Sequence, residues 1–214
     1  MPPPSFSLSR KFARVVRELR RPGDSLVANV RICEYGAGNT RSVVIAFQRL
    51  GTDVAVTDDP RDILAADLAV LPGVGSAASA MTGLEERRLD TALRERMATG
   101  RPILGICLGL QLAVEETEED GGVVGLGLLP GRAYRLREGR VPRIGWAPVE
   151  PLGQVFYFAH SYAVETAAAT AASEGIVAEA RLEPFVGVQF HPEKSGPAGA
   201  DYLRSTLQGC LSLA

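Results

Sequence analysis

From residue 30 onward, the first half of the chain alternates short apolar runs with longer stretches of helical period. VRICEY (30–35), VAVT (54–57), LAVL (68–71) and PILGI (102–106) read as strands. Residues 40–50 place Val43, Val44, Phe47 and Leu50 on one helical face, and 84–98 and 108–116 carry the same period. This alternation leaves few folds open. Strands that are apolar along their whole length need cover on both faces, and parallel strands need helical crossovers. The expectation is a three-layer α/β/α body with a mostly parallel central sheet, and ligands bound beyond the carboxyl ends of its strands.

The second half reads differently. GLGLL (125–129), RAYRL, VFYFAHSYAV, IVAEARL and FVGVQF are short runs broken by Gly and Pro, and predict β-strands, some pairing antiparallel, with a smaller antiparallel β portion in this half. AAATAAS (167–173) reads as a loop or frayed turn, and 199–211 as a closing helix. The 214 residues suit one sizeable domain. Residues 1–28 stand apart: they open on PPP, end on RRPGDS and carry a local charge of +4 within a chain of net −2. They read as a poorly ordered basic extension or a mis-assigned start, with the folded domain at 29–214.

The main body is mildly acidic, which argues against nucleic acid as the principal partner. No apolar run reaches the length of a membrane span, and the opening MPPPSFSLSR lacks the apolar core of a secretory signal. Three widely spaced cysteines fit free thiols in a reducing compartment, so a cytoplasmic location is expected. Two histidines on separate segments make a poor ligand set, and no metal site or cofactor is expected.

One of those cysteines has a distinctive setting. In PILGICLGLQL, Cys107 lies between Gly105 and Gly109 at the join of a strand and a helix. Gly-x-Cys-x-Gly in that position is a nucleophile elbow with sulfur in place of oxygen. The glycines make room for the tight turn. The helix beginning at Leu108 turns its free N–H groups toward the sulfur, an environment that lowers thiol pKa values and supplies a donor for an oxyanion. A thiolate nucleophile needs a base, and the base needs an orienting acceptor. His191 ends an apolar strand, Pro192 turns the chain, and Glu193 can fold back onto the imidazole. The other histidine, His160 in YFAHSY, reads as structural or as shaping a pocket.

Together PGVG, GICLGLQL, YFAHSY and FHPEKS resemble the class I glutamine amidotransferases. YGAGNTRSV, LPGVGSAASAM and RIGWAPV are similar to one group within them, the glutaminase subunits of imidazole glycerol phosphate synthase, over residues 30–211. The resemblance implies the flavodoxin-like fold of that superfamily and hydrolysis of the L-glutamine side-chain amide. In the roles it implies, Cys107 is the nucleophile, His191 the base and Glu193 the orienting carboxylate. The Leu108 N–H and the turn at Gly73, Val74 and Gly75 bind the oxyanion. Gln111, Glu119 and the backbone of Ser161 and Tyr162 seat the substrate. Asn39, Trp146 and Lys194 lie near an interface with a (β/α)8-barrel cyclase, with which the chain forms a heterodimer. Arg143 and Ala147, where the family often has His and Asn, depart from the pattern. Two alternatives stay open: a glutaminase partner of another synthase, such as pyridoxal phosphate synthase, and a non-catalytic scaffolding subunit of the same fold.

Overall fold

The computed structural model describes residues 27–36 and 40–213. The basic extension, apart from its last two residues, and Asn39 lie outside the described residues.

The described chain runs β1 (Asn29–Cys33), α1 (Arg41–Arg49), β2 (Asp53–Thr57), α2 (Pro60–Ala65), β3 (Leu68–Leu71), α3 (Ala77–Glu86), α4 (Leu89–Ala98), β4 (Ile103–Ile106) and α5 (Leu108–Ala113). Then come β5 (Glu116–Thr117), a 3-10 turn (Glu119–Gly121), β6 (Val123–Val124), β7 (Arg132–Arg135), β8 (Arg143–Val149), β9 (Gln154–His160) and β10 (Tyr162–Glu165). β11 (Ala169–Ser173), β12 (Ile176–Leu182), β13 (Phe185–Val188), a 3-10 turn (Pro192–Lys194) and α6 (Gly196–Leu213) complete it.

Seven strands form the central sheet in the order β11-β12-β13-β4-β3-β1-β2. The run β2-β1-β3-β4-β13 is parallel, the doubly wound order in which ligands sit beyond the strands' carboxyl ends. β12 and β11 extend one edge antiparallel. Alternation along each strand divides the core between two faces. Ala69, Leu71 and Ile103 face α3, α4 and α5, whereas Leu68, Val70, Leu104 and Ile106 face α1, α6 and a two-stranded ribbon of β8 and β9. A four-stranded sheet, β10-β7-β5-β6, forms the smaller β portion.

Several sequence expectations need correction. The 84–98 helix is two helices, α3 and α4, broken where Arg88 adopts a left-handed backbone at φ 58°. The helix from Leu108 ends at Ala113, not 116, and GLGLL is not a strand. The N–H groups of Leu126 and Leu128 instead donate to the carbonyls of Leu112 and Ala113, both at 2.7 Å, and so finish the end of α5. AAATAAS is not a loop, because its last five residues form the edge strand β11. Helix α2 was not anticipated. Only Ile63 of it is buried, and it is defined by its N-terminus, with Asp59 accepting from the Arg61 N–H and Pro60 opening the first turn.

Candidate active site

The site is assembled by two neighbouring parallel strands that end together. β4 and β13 pair with Ile106 opposite Val188, and the Cys107 N–H donates to the Val188 carbonyl at 2.7 Å. The next step of the register therefore sets Cys107 beside Gln189, with His191 two residues beyond. Cys107 is left-handed (φ 53°, ψ −106°), the strained turn expected of an elbow. Its side chain is buried, with Sγ 3.8 Å from the Ala159 carbonyl.

Glycines permit the close approach around this turn. A Cβ on Gly109 would fall 2.0 Å from the Leu71 carbonyl oxygen, and one on Gly73 would fall 2.4 Å from the Gly109 nitrogen. The Gly73–Gly75 segment thus lies directly on the first residues of α5, bringing the turn and the Leu108 backbone together.

His191 Nδ1 is 2.9 Å from Glu193 Oε1, with both side chains buried. Nε2 is therefore the nitrogen left to interact with Cys107. Burial alone would push the imidazole pKa down. The interactions with Cys107 and Glu193 outweigh it and raise it to about 9, which makes the ring a strong acceptor for the thiol proton. The strand end is fixed through the backbone: the His191 N–H donates to the Tyr157 carbonyl at 2.8 Å, and the Ser195 hydroxyl links the His191 carbonyl to the Tyr157 N–H.

The other expected residues divide into groups. Gln111 is buried and donates to the Tyr162 carbonyl at 2.7 Å, so it sits within the site rather than facing solvent. The Tyr162 carbonyl also meets His160 Nδ1 at 2.9 Å, and the Ser161 carbonyl accepts from the Leu136 N–H. Glu119 reaches the site's rim from the 3-10 turn. Its carboxylate accepts from the Ala77 N–H at 3.0 Å, and Asp120 accepts from Ala78 at 2.9 Å, so the pair caps α3 immediately after the Gly73–Gly75 turn. Burial raises the Glu119 pKa above the usual carboxylate range.

Trp146 and Lys194 are exposed. Trp146 sits opposite Tyr157 on the outer face of the β8–β9 ribbon, with the rings edge-on at 5.8 Å. Ala147 faces the other way, buried beside Val149 and Phe156. The missing Asn side chain thus lies on the core side of the ribbon. Arg143 stacks on Phe158 and bonds Ser173 and Glu174. One contributor escaped the motif reading: Gln189, fully buried and 3.6 Å from Cys107 Sγ. No local sequence pattern marks it, because its place beside the elbow comes from the pairing of β13 with β4.

His160 is not part of this constellation. Its Nδ1–H is held by the Tyr162 carbonyl, and its buried Nε2 has no partner among the described residues. Burial, reinforced by the nearby Arg143 and His191 cations and only partly opposed by that hydrogen bond, pushes it down to about 4. A folded pKa below the ordinary 6.5 means that the neutral ring is favoured by folding. This contribution is fully present above pH 6.5 and is lost as pH falls toward 4. Urea titrations of the wild type and His160→Gln between pH 7 and 4.5 are expected to diverge by up to one proton's worth of slope, with the variant flatter. Parallel profiles would refute the assignment.

Residues 31–209 match the glutamine amidotransferase class-I family. The chain belongs to the class-I glutamine amidotransferases. Imidazole glycerol phosphate synthase subunit HisH of Carboxydothermus hydrogenoformans is 42% identical to this amidotransferase over 81% of the chain and 96% of the relative. The HisH of Moorella thermoacetica is 44% identical over 82% and 92%. A crystal structure of a glutamine amidotransferase superposes on it with a TM-score of 0.72 at 19% identity, covering 84% of this amidotransferase and 98% of that chain. Among the described residues, the amidotransferase has no helix long and apolar enough to cross a membrane.

Proposed function

We propose that this amidotransferase is the glutaminase subunit of imidazole glycerol phosphate synthase. It hydrolyses L-glutamine and delivers the ammonia to a (β/α)8-barrel cyclase subunit in a heterodimer, in the cytoplasm. The meeting of Cys107, His191 and Glu193 where β4 and β13 end side by side, in a chain 42–44% identical to HisH subunits, carries this reading.

Cys107 gives its proton to His191 Nε2 and attacks the carboxamide carbon. The carbonyl π pair moves onto oxygen, and the Leu108 N–H and the Gly73–Gly75 backbone receive the oxyanion. The tetrahedral adduct collapses, the C–N bond breaks, and the His191 imidazolium returns its proton to the departing nitrogen, releasing ammonia and leaving a glutamyl thioester. The neutral imidazole then takes a proton from water, whose oxygen attacks the thioester. Glutamate leaves, and the sulfur is restored. Glu193 keeps the imidazole oriented through both halves. Gln111 and Glu119 line the space for the substrate's remaining groups.

The partner docks on the outer face of the ribbon, where Ile144, Trp146, Pro148 and Val155 are exposed next to Tyr157. An exposed indole over a neighbouring ring is a typical binding anchor. Trp146→Ala is expected to weaken cyclase binding by about 2 kcal/mol, roughly thirtyfold, as read by titration calorimetry against the purified barrel subunit. It should also reduce cyclase-stimulated glutaminase activity at subsaturating partner. Unchanged affinity would remove the ribbon from the interface. Absence of any complex would refute the assignment as a synthase subunit.

A further inference from the structure

We infer that Gln189 is a catalytic residue of this site, donating an N–H to the Cys107 sulfur and holding it as the nucleophile. The inference rests on Cys107 being the nucleophile, and it adds a donor that the triad does not contain.

A chain of three hydrogen bonds fixes the direction of the amide. The Tyr162 carbonyl can only accept, so the group of Gln111 facing it at 2.7 Å is its NH2. The second proton of that NH2 points to Gln189 at 3.2 Å, so the Gln189 atom there is the carbonyl oxygen. The Gln189 NH2 is then left facing Cys107 Sγ, at 3.6 Å. Each amide orientation is set by the one before, and the first is imposed by main chain.

Gln189 is fully buried, and its own N–H donates to the Ala178 carbonyl at 2.9 Å. The side chain therefore approaches the sulfur from a backbone position locked by pairing on both sides. When the S–H proton passes to His191, both bonding electrons stay on sulfur. A fixed, dehydrated donor beside a forming anion strengthens as charge develops and needs no reorganisation. An amide NH2 cannot itself take a proton from the thiol, so it does not compete with His191 for it.

The test is the alkylation of Cys107 in the full-length chain by iodoacetamide, in which sulfur displaces iodide. It is followed across pH by the mass of the Cys107 peptide, in the wild type and in Gln189→Met, which keeps the length but lacks the N–H donor. Alkylation at pH 7 is expected to slow about tenfold or more, with the half-plateau pH moving up by about one unit. Gln189→Leu answers the same question if the methionine variant does not fold. A slower rate with an unmoved half-plateau indicates packing alone and overturns the inference, as does a profile coinciding with the wild type. The underlying reading fails separately. If fully alkylated wild type still hydrolyses glutamine, Cys107 is not the nucleophile. If alkylation abolishes hydrolysis while the Gln189→Met profile matches the wild type, only the role of Gln189 is lost.

Discussion

Cys107→Ala is expected to remove glutamine hydrolysis, by about a thousandfold or more, while leaving the fold intact. The sulfur is the only atom in the constellation placed to form a bond with substrate. His191 and Glu193 serve it, and neither can substitute for it. The substitution deletes one buried atom at a position whose left-handed backbone the chain already enforces through the Cys107 N–H to Val188 bond. The thermal midpoint should therefore move by only a few degrees. In complex with the proposed barrel cyclase, the variant should still support synthesis when ammonia is supplied directly, because the proposed function assigns the acceptor chemistry to the partner. A coupled assay run once with glutamine and once with ammonium at elevated pH separates the two activities. Retained glutamine turnover in Cys107→Ala would overturn the thioester mechanism. Loss of both activities would mean that the substitution damages the complex rather than the chemistry.

Gly109→Ala should be among the most disruptive single methyls in the described residues, and the one placed directly at the elbow. The added carbon would lie 2.0 Å from the Leu71 carbonyl oxygen and 3.0 Å from its carbon, both main-chain atoms at the end of β3. No rotamer change relieves that contact, so α5 must move away from the sheet. The Leu108 N–H and the Gly73–Gly75 turn go with it, since Gly73 approaches the Gly109 nitrogen. We expect a loss of about 3 kcal/mol, roughly 10 °C in thermal midpoint, and a fall in glutaminase activity of about a hundredfold or more. Gly209→Ala supplies the control: it lies inside α6 with nothing among the described residues within 4 Å of its Cβ, and should be neutral or slightly stabilising. A Gly109→Ala protein that melts with the wild type would show that the elbow tolerates a side chain there.

The middle of the parallel core was readable because β3 and β4 are buried at every residue and written mostly in leucine and β-branched residues, with LAVL of β3 the clearest case. Elements built by hydrogen bonding rather than apolar burial were not. β11 is alanine-rich and defined by pairing with β12, GLGLL finishes a helix, and α2 depends on its cap. The residues proposed as reactive stood out in the sequence for a different reason. Glycine-flanked cysteine and His-Pro-Glu are local patterns with local mechanical meanings. Gln189 and the capping role of Glu119 depend on which strand ends lie side by side, and one-dimensional spacing does not carry that information.

One side of the site is built from a single pair of strands, and Tyr157 links its exposed face to the site. Its ring lies beside Trp146 and 6.5 Å from the His191 ring, while its main chain holds the His191 amide and the Ser195 hydroxyl along the edge of β9 that faces away from β8. A wall one strand thick has no interior to absorb a push. A displacement of Tyr157 from outside is expected to be felt at the peptide that carries the imidazole, because the His191 N–H is bonded to the Tyr157 carbonyl.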